Sequence, residues 1–146
     1  MRAPFQVLVI PFRRESTGTQ YAVLKRSDAD YWQFVAGGGE DKETPLEAAE
    51  REVREEIGVE ADGLLRQLDS MSTVPKESFA ARDSWGEDVY VIPEYCFALD
   101  IRGDSLQLSR EHTEVRWVEY EEANQILKWD SNRNALWELD ERLRTE

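Results

Sequence analysis

The stretch from Gly37 to Val59 constrains this chain more than any other. It begins with three glycines and runs through Glu40, Glu43 and Thr44-Pro45 into a patterned segment that closes at Gly58. Thr44 is a fitting N-cap, Pro45 suits the first helical position, and Glu47 completes a Thr-x-x-Glu capping box. Gly58 stands where a left-handed residue ends a helix. The pattern predicts a helix over 45–57. On it Glu52, Glu55 and Glu56 are related by i, i+3 and i+4 and share one face. Leu46, Ala49, Val53 and Ile57 form a neighbouring apolar stripe that would pack the helix on a sheet. Three clustered carboxylates repel one another, and a hard divalent cation with oxygen ligands removes that penalty. Alone, three glutamates on one face would be an ordinary solvated surface in a chain with 31 acidic residues. The complete spacing, with Gly37, Glu43, the Arg51-Glu52 pair and the apolar positions all in place, sets this face apart.

The rest of the chain reads as one domain, residues 1–146. With 40% hydrophobic residues it can bury a core without a disulfide or structural metal. The net charge of −13 argues against a duplex nucleic-acid face and against an anionic membrane surface. Cys96, the sole cysteine, excludes an internal disulfide and a multi-thiolate metal site. Gln6 to Phe12 is apolar but short and flanked by Arg2, Arg13 and Arg14, so a leader or membrane span is not expected. The expectation is a soluble, cytoplasmic protein.

Strands are predicted at Val7–Ile10, Gln20–Arg26, Trp32–Ala36, Leu64–Val74, Val89–Ile101 and Glu114–Tyr120. Pro11–Thr19 reads as a turn, and the glycine triplet as the end of the short extended piece before it. Pro93 marks an edge, a bulge or a break. Pro75–Asp88 reads as a polar loop carrying an exposed Trp85. Helices are predicted over 121–129 and 133–144, with Ser131 and Asn132 as N-cap types. Strands and helices mix without strict alternation, which predicts an α/β protein with a mixed sheet covered on both faces.

Gly37 to Val59 resembles the Nudix box, the signature of Nudix hydrolases. The likeness extends to Tyr21–Arg26 before it and Glu114–Val118 after it. Ala36 and Lys42 stand where glycine is frequent, and neither replaces a metal ligand. The resemblance implies a Nudix-like α/β/α sandwich that hydrolyses a phosphoanhydride bond in an organic polyphosphate, a small molecule. It implies Mg²⁺ as cofactor, with Mn²⁺ as a substitute, and is compatible with a homodimer. By carry-over, Glu55 and Glu56 are metal ligands, Glu52 a ligand or catalytic base, and Arg51 an orienting partner. Glu40 and the Gly37 carbonyl complete the metal shell, while Glu43 braces the loop through Arg51.

A further glutamate outside the box is expected, with Glu111 favoured over Glu114, Glu87 and Asp88. Asp30-Tyr31-Trp32-Gln33, Glu111-His112 and Trp129-Asp130-Ser131-Asn132-Arg133 resemble the dihydroneopterin triphosphate pyrophosphohydrolase branch. Substrate contacts are then assigned to Arg26, Trp32 and Arg133. The blander readings are that Trp32 and Trp85 are core, that His112 is a hydrogen-bonded surface residue, and that Pro75 is a turn residue. Competing activities are hydrolysis of ADP-ribose or a nucleoside triphosphate and, in another class, nucleotide sensing without cleavage.

Overall fold

The computed structural model describes residues 1–103 and 105–146. Strands β1 (Arg2–Glu15), β2 (Gly18–Arg26), β3 (Trp32–Gln33), β4 (Val35–Glu40), β5 (Arg66–Pro75), β6 (Val91–Asp100) and β7 (His112–Val118) form one mixed sheet. Among the described residues three α-helices join them: α1 (Pro45–Ile57), α2 (Tyr120–Ile126) and α3 (Asp130–Thr145).

β1 is the spine. It lies parallel to β6 on one side. On the other it pairs first with β4, from Arg2 to Val9, and then with β2, from Phe12 to Glu15. Its side chains alternate between two cores, as strand geometry demands. Val7 and Val9 pack with Ala48, Ala49, Val53 and Ile57 of α1. Leu8, Ile10 and Phe12 pack with Ala123 of α2 and with Ala135, Leu136 and Leu139 of α3. The layers are therefore α1, sheet, then α2 with α3, the expected α/β/α arrangement. Fully buried side chains such as Val53 and Ile57 contribute about 2 kcal/mol each.

Several boundaries differ from those read in the sequence. Pro11 does not begin a turn: β1 runs on to Glu15, and Pro11 falls where β1 exchanges β4 for β2. The glycine triplet does not end a strand but lies within β4, where Gly37 and Gly38 pair with Val7 and Gln6. Trp32–Ala36 is two strands, because Trp32 and Gln33 pair with β2 while Val35 onward pairs with β1. Pro93 is accommodated because β1 joins β6 only from Glu94. The last helix starts at Asp130, with Ser131 and Asn132 in its first turn. Leu46 leaves the apolar stripe and is exposed, its place taken by Ala48. Among the described residues no helix is long and apolar enough to cross a membrane.

Candidate active site

α1 begins and ends as its sequence requires. Thr44 Oγ1 accepts from the Glu47 amide at 3.2 Å, and Glu47 Oε1 accepts from the Thr44 amide at 2.9 Å. Gly58 is left-handed, with φ 70°, and its amide donates to the Arg54 carbonyl. Rigid ends and a packed apolar face fix where the acidic face points.

Arg51 organises that face. Its Nε and Nη2 donate to both oxygens of Glu43, at 2.8 and 2.9 Å. Nη2 also donates to the Gly38 carbonyl at 2.7 Å, and Nη1 to Glu52 Oε1 at 2.9 Å and Glu55 Oε2 at 3.2 Å. Glu43 Oε1 in turn accepts from the Glu40 amide. One guanidinium thus ties the β4–α1 loop to two of the three clustered glutamates, and the two-pronged pairing fixes its plane. Gly37 has a separate task. A Cβ there would run into the Glu52 carboxylate, so only glycine lets β4 pass this close to α1.

Glu52 and Glu56 are buried and Glu55 is exposed. Burial pushes the Glu52 and Glu56 carboxyls up, and their mutual proximity adds to the effect at Glu56. Glu56 is 1% exposed, and among the described residues neither of its oxygens has a hydrogen-bond partner. His112 lies against it with Nδ1 at 3.7 Å from Glu56 Oε1, and Nδ1 is likewise without a partner. Burial, and then Arg26, lower the His112 imidazole to about 4, so the ring is neutral near pH 7. Ligand atoms of Glu56, Glu111 and His112 all lie within 4.8 Å of one another. Unpartnered buried oxygens are costly in isolation. Two carboxylates and a neutral imidazole arranged in this way suit a divalent cation.

The cluster opens on a cleft of about 870 Å³ lined by residues of several strands and of the first turn of α3. Of the catalytic, metal and substrate residues assigned from the sequence, Gly37, Glu111 and Arg26 line it, and so do Tyr31, Gln33 and Trp129 to Asn132 of the two short motifs. Arg26 is also paired with Asp28 at 2.7 Å. Glu114 is exposed on β7, 3.9 Å from Arg116.

Other sequence candidates lie outside the cleft lining. Glu40 is exposed at the end of β4. Trp32 packs against the α2/α3 core beneath Arg116, whose guanidinium carbon is 4.8 Å from the ring centre. Its neighbour Gln33 faces the cleft instead, because successive side chains of a strand point to opposite faces. Arg133 is held by the Leu127 carbonyl at the end of α2, at 2.6 Å, and by Asp130. The cationic side chain there answers the negative end of α2. His112 is buried, not on the surface, and Trp85 is half-buried, its indole donating to the Arg2 carbonyl at 2.9 Å.

The sequence reading missed Arg2, Gln6 and Glu94 as site residues, and took Asn132 only as an N-cap type within a short motif. Arg2 lies over Gly38, where a Cβ would strike its guanidinium, and hydrogen-bonds Gln6. Burial lowers its pKa, and its Nε has no partner among the described residues. Asn132 Oδ1 accepts from the Phe34 amide at 3.0 Å and so pins the start of α3 to the strip between β3 and β4. No local spacing signals these residues, since each depends on a contact with a distant element.

An α/β/α sandwich with an acidic, arginine-braced helix beside a cleft is the arrangement that the resemblance to Nudix hydrolases implies. The NUDIX domain model matches residues 4–138, and the chain belongs to that family. It is 30% identical to the dihydroneopterin triphosphate diphosphatase of Escherichia coli K12 over 137 residues, 92% of this chain and 91% of that one. It is 31% identical to the asymmetrical bis(5'-nucleosyl)-tetraphosphatase of Mus musculus, over 92% of this chain and 86% of that one. Among solved structures, a NUDIX hydrolase from Listeria monocytogenes superposes with a TM-score of 0.89 at 50% identity, covering 98% of this chain and 96% of the other. The E. coli dihydroneopterin triphosphate pyrophosphohydrolase shares the fold, with a TM-score of 0.78, 24% identity and 97% of each chain covered. The protein is an enzyme that hydrolyses phosphoanhydride bonds in small phosphate compounds, and its family uses divalent metals.

Proposed function

We propose that this chain hydrolyses dihydroneopterin triphosphate and releases pyrophosphate, with Mg²⁺ as cofactor and Mn²⁺ as a substitute. The observation that carries the reading is the 30% identity, nearly end to end, to an enzyme of that name. The cluster of Glu56, Glu111 and His112 at the cleft supports it.

Glu52, Glu55, Glu56 and Glu111, with the Gly37 carbonyl, are the groups that would hold the cation, His112 would stand beside Glu56 and Glu111, and Glu40 lies further out. When bound, the cation supplies neutralisation of phosphate charge and activation of a water. Arg51 holds Glu52 Oε1 and leaves Oε2 to take the proton of the attacking water. Arg26 and Arg2 line the cleft where phosphate oxygens would lie and offset part of the −13 net charge. Glu43 keeps Arg51 oriented and does no chemistry.

A dinucleoside tetraphosphate is the second reading, favoured by the similarity to the mouse tetraphosphatase. The test is Mg²⁺-dependent release of pyrophosphate or phosphate from dihydroneopterin triphosphate, diadenosine tetraphosphate, ADP-ribose and ATP at equal concentration. The proposal predicts the highest kcat/KM on the pterin. A preference for any other compound overturns the substrate and leaves the reaction class standing.

A further inference from the structure

A further buried carboxylate lines the cleft away from the Glu52 and Glu56 cluster. Glu94, on β6, is 6% exposed and lines the cleft with Ser72 and Ser131. Ser72 Oγ donates to Glu94 Oε1 at 3.2 Å, and among the described residues no salt bridge reaches it. Desolvation pushes its carboxyl up, countered only by the hydroxyls of Ser131 and Ser72.

Strand register fixes where this group sits. Gly38 of β4 pairs with Gln6 of β1, Gln6 pairs with Glu94 of β6, and Glu94 pairs with Ser72 of β5. These four residues form one row across the sheet, and directly paired residues face the same side. Leu8 and Cys96, two positions on from Gln6 and Glu94, belong to the core beneath α2 and α3, so the row faces that layer. At roughly 4.8 Å per strand, Glu94 lies about 10 Å from the Gly38 end of the row. The Gly38 end carries the Arg2 guanidinium and adjoins Gly37 and Glu52. Gly37, Glu111 and Glu94 line one cleft, so a substrate with its phosphates at the Gly37 and Glu111 end would bring its other end toward Glu94.

An ionised carboxylate offers about four lone-pair positions and accepts only. Ser72 fills one of them at Glu94. The geometry points to Glu94 as a specificity-determining residue that accepts two adjacent N–H donors from the substrate's ring. The ring class is a fused heterocycle with a 2-amino-4-oxo edge, shared by pterin and guanine, whose neighbouring amino and ring N–H groups match one carboxylate. An adenine edge alternates donor and acceptor and would leave one carboxylate oxygen facing a ring nitrogen lone pair. This inference rests on the pyrophosphohydrolase reading only for the placement of the phosphates.

The test compares wild type with Glu94→Gln, which keeps shape and burial while replacing one acceptor by a donor. Turnover with Mg²⁺ is measured on dihydroneopterin triphosphate, GTP and ATP, and binding of the phosphate-free rings neopterin and adenosine is measured by calorimetry. Wild type should prefer the first two substrates and bind neopterin over adenosine. Glu94→Gln should lower kcat/KM on both 2-amino-4-oxo substrates about thirtyfold, the loss of a charge-assisted hydrogen bond. ATP turnover should stay within about threefold, and neopterin binding should weaken with the pterin turnover. Ser72→Ala, which leaves the carboxylate but frees it to turn, should show the same pattern at about threefold. An equal fall on all three substrates, no fall on any, or a wild-type preference for adenine rings overturns the inference. Absence of release from every triphosphate, with neopterin binding still dependent on Glu94, would instead sink the proposed reaction and leave the ring assignment in place.

Discussion

Glu56 and Glu94 are both buried carboxylates, Glu94 lining the cleft and Glu56 set behind Glu111, which lines it, and their surroundings differ in kind. Glu56 sits among acids, with Glu52 and Glu111 close by and no hydrogen-bond partner among the described residues. Glu94 is solitary, with serine hydroxyls around it. Concentrated negative charge without donors calls for a cation. A lone acceptor beside hydroxyls calls for N–H groups. In the proposed function the same side chain serves chemistry at one end and recognition at the other, and its neighbours decide which.

The sharpest way to break the comparison is to remove charge at the acidic end. Glu52→Gln should lower turnover by at least about 10²-fold, with an unchanged circular dichroism spectrum because the apolar face of α1 is untouched. Wild-type-like turnover in folded protein would deprive that end of its catalytic role. Glu111→Ala should act more mildly, raising the Mg²⁺ concentration needed for half-maximal rate by about tenfold or more. An unchanged metal requirement would show that Glu111 lines the cleft without serving the cation.

A third change probes the backbone that brings the two layers together. Gly37→Ala drives a methyl into the Glu52 carboxylate. It should lower stability by about 1–3 kcal/mol, as overpacking does, and reduce turnover by displacing that group. Chemical denaturation with activity measured in parallel checks both. Retained stability together with retained activity would mean that β4 and α1 can separate without cost.

The acidic end could be read from the chain because it is local. Capping box, Arg51, Glu43 and the three glutamates lie within one strand–loop–helix unit, and helical spacing alone places their face. Even there, spacing did not reveal that Glu55 is exposed while Glu56 is sealed, since that depends on His112, which arrives from β7. The recognition end is assembled from β1, β5, β6 and the start of α3, and nothing in the local sequence marks Glu94 or Arg2. Trp32 and Arg133 carried short-motif likenesses, yet strand alternation turned one into the core and a helix-end carbonyl took the other. The glycine triplet read as the end of a strand because the side chains it approaches, Glu52, Arg2 and Phe5, are brought to it only by the fold.

The smallest predicted effect lies away from both ends. Glu138 on α3 accepts from the Asp69 and Ser70 amides at 2.8 and 2.7 Å and from Arg142 at 2.7 Å. Burial raises its pKa, but these bonds and that from the Ser70 hydroxyl outweigh burial and hold it at about 2. A carboxyl depressed on folding stabilises the fold above its unfolded value and loses that stabilisation as pH falls toward 2. Glu138→Gln should therefore cost about 1 kcal/mol or less at pH 7 and flatten the decline in stability between about pH 4.5 and 2. Unfolding midpoints across that range check the sign. A variant as acid-sensitive as wild type would show that the tie between α3 and β5 does not depend on this charge.

In the proposed function the unpartnered oxygens of Glu56 belong to a cation site. That assignment is tested most directly by titrating Mn²⁺ into the protein without substrate and following free Mn²⁺ by electron paramagnetic resonance, for wild type and Glu56→Gln. The account predicts saturable binding to wild type, competed by Mg²⁺, and at least tenfold weaker binding to the variant with its fold intact. Equal Mn²⁺ affinity in the two proteins would contradict it.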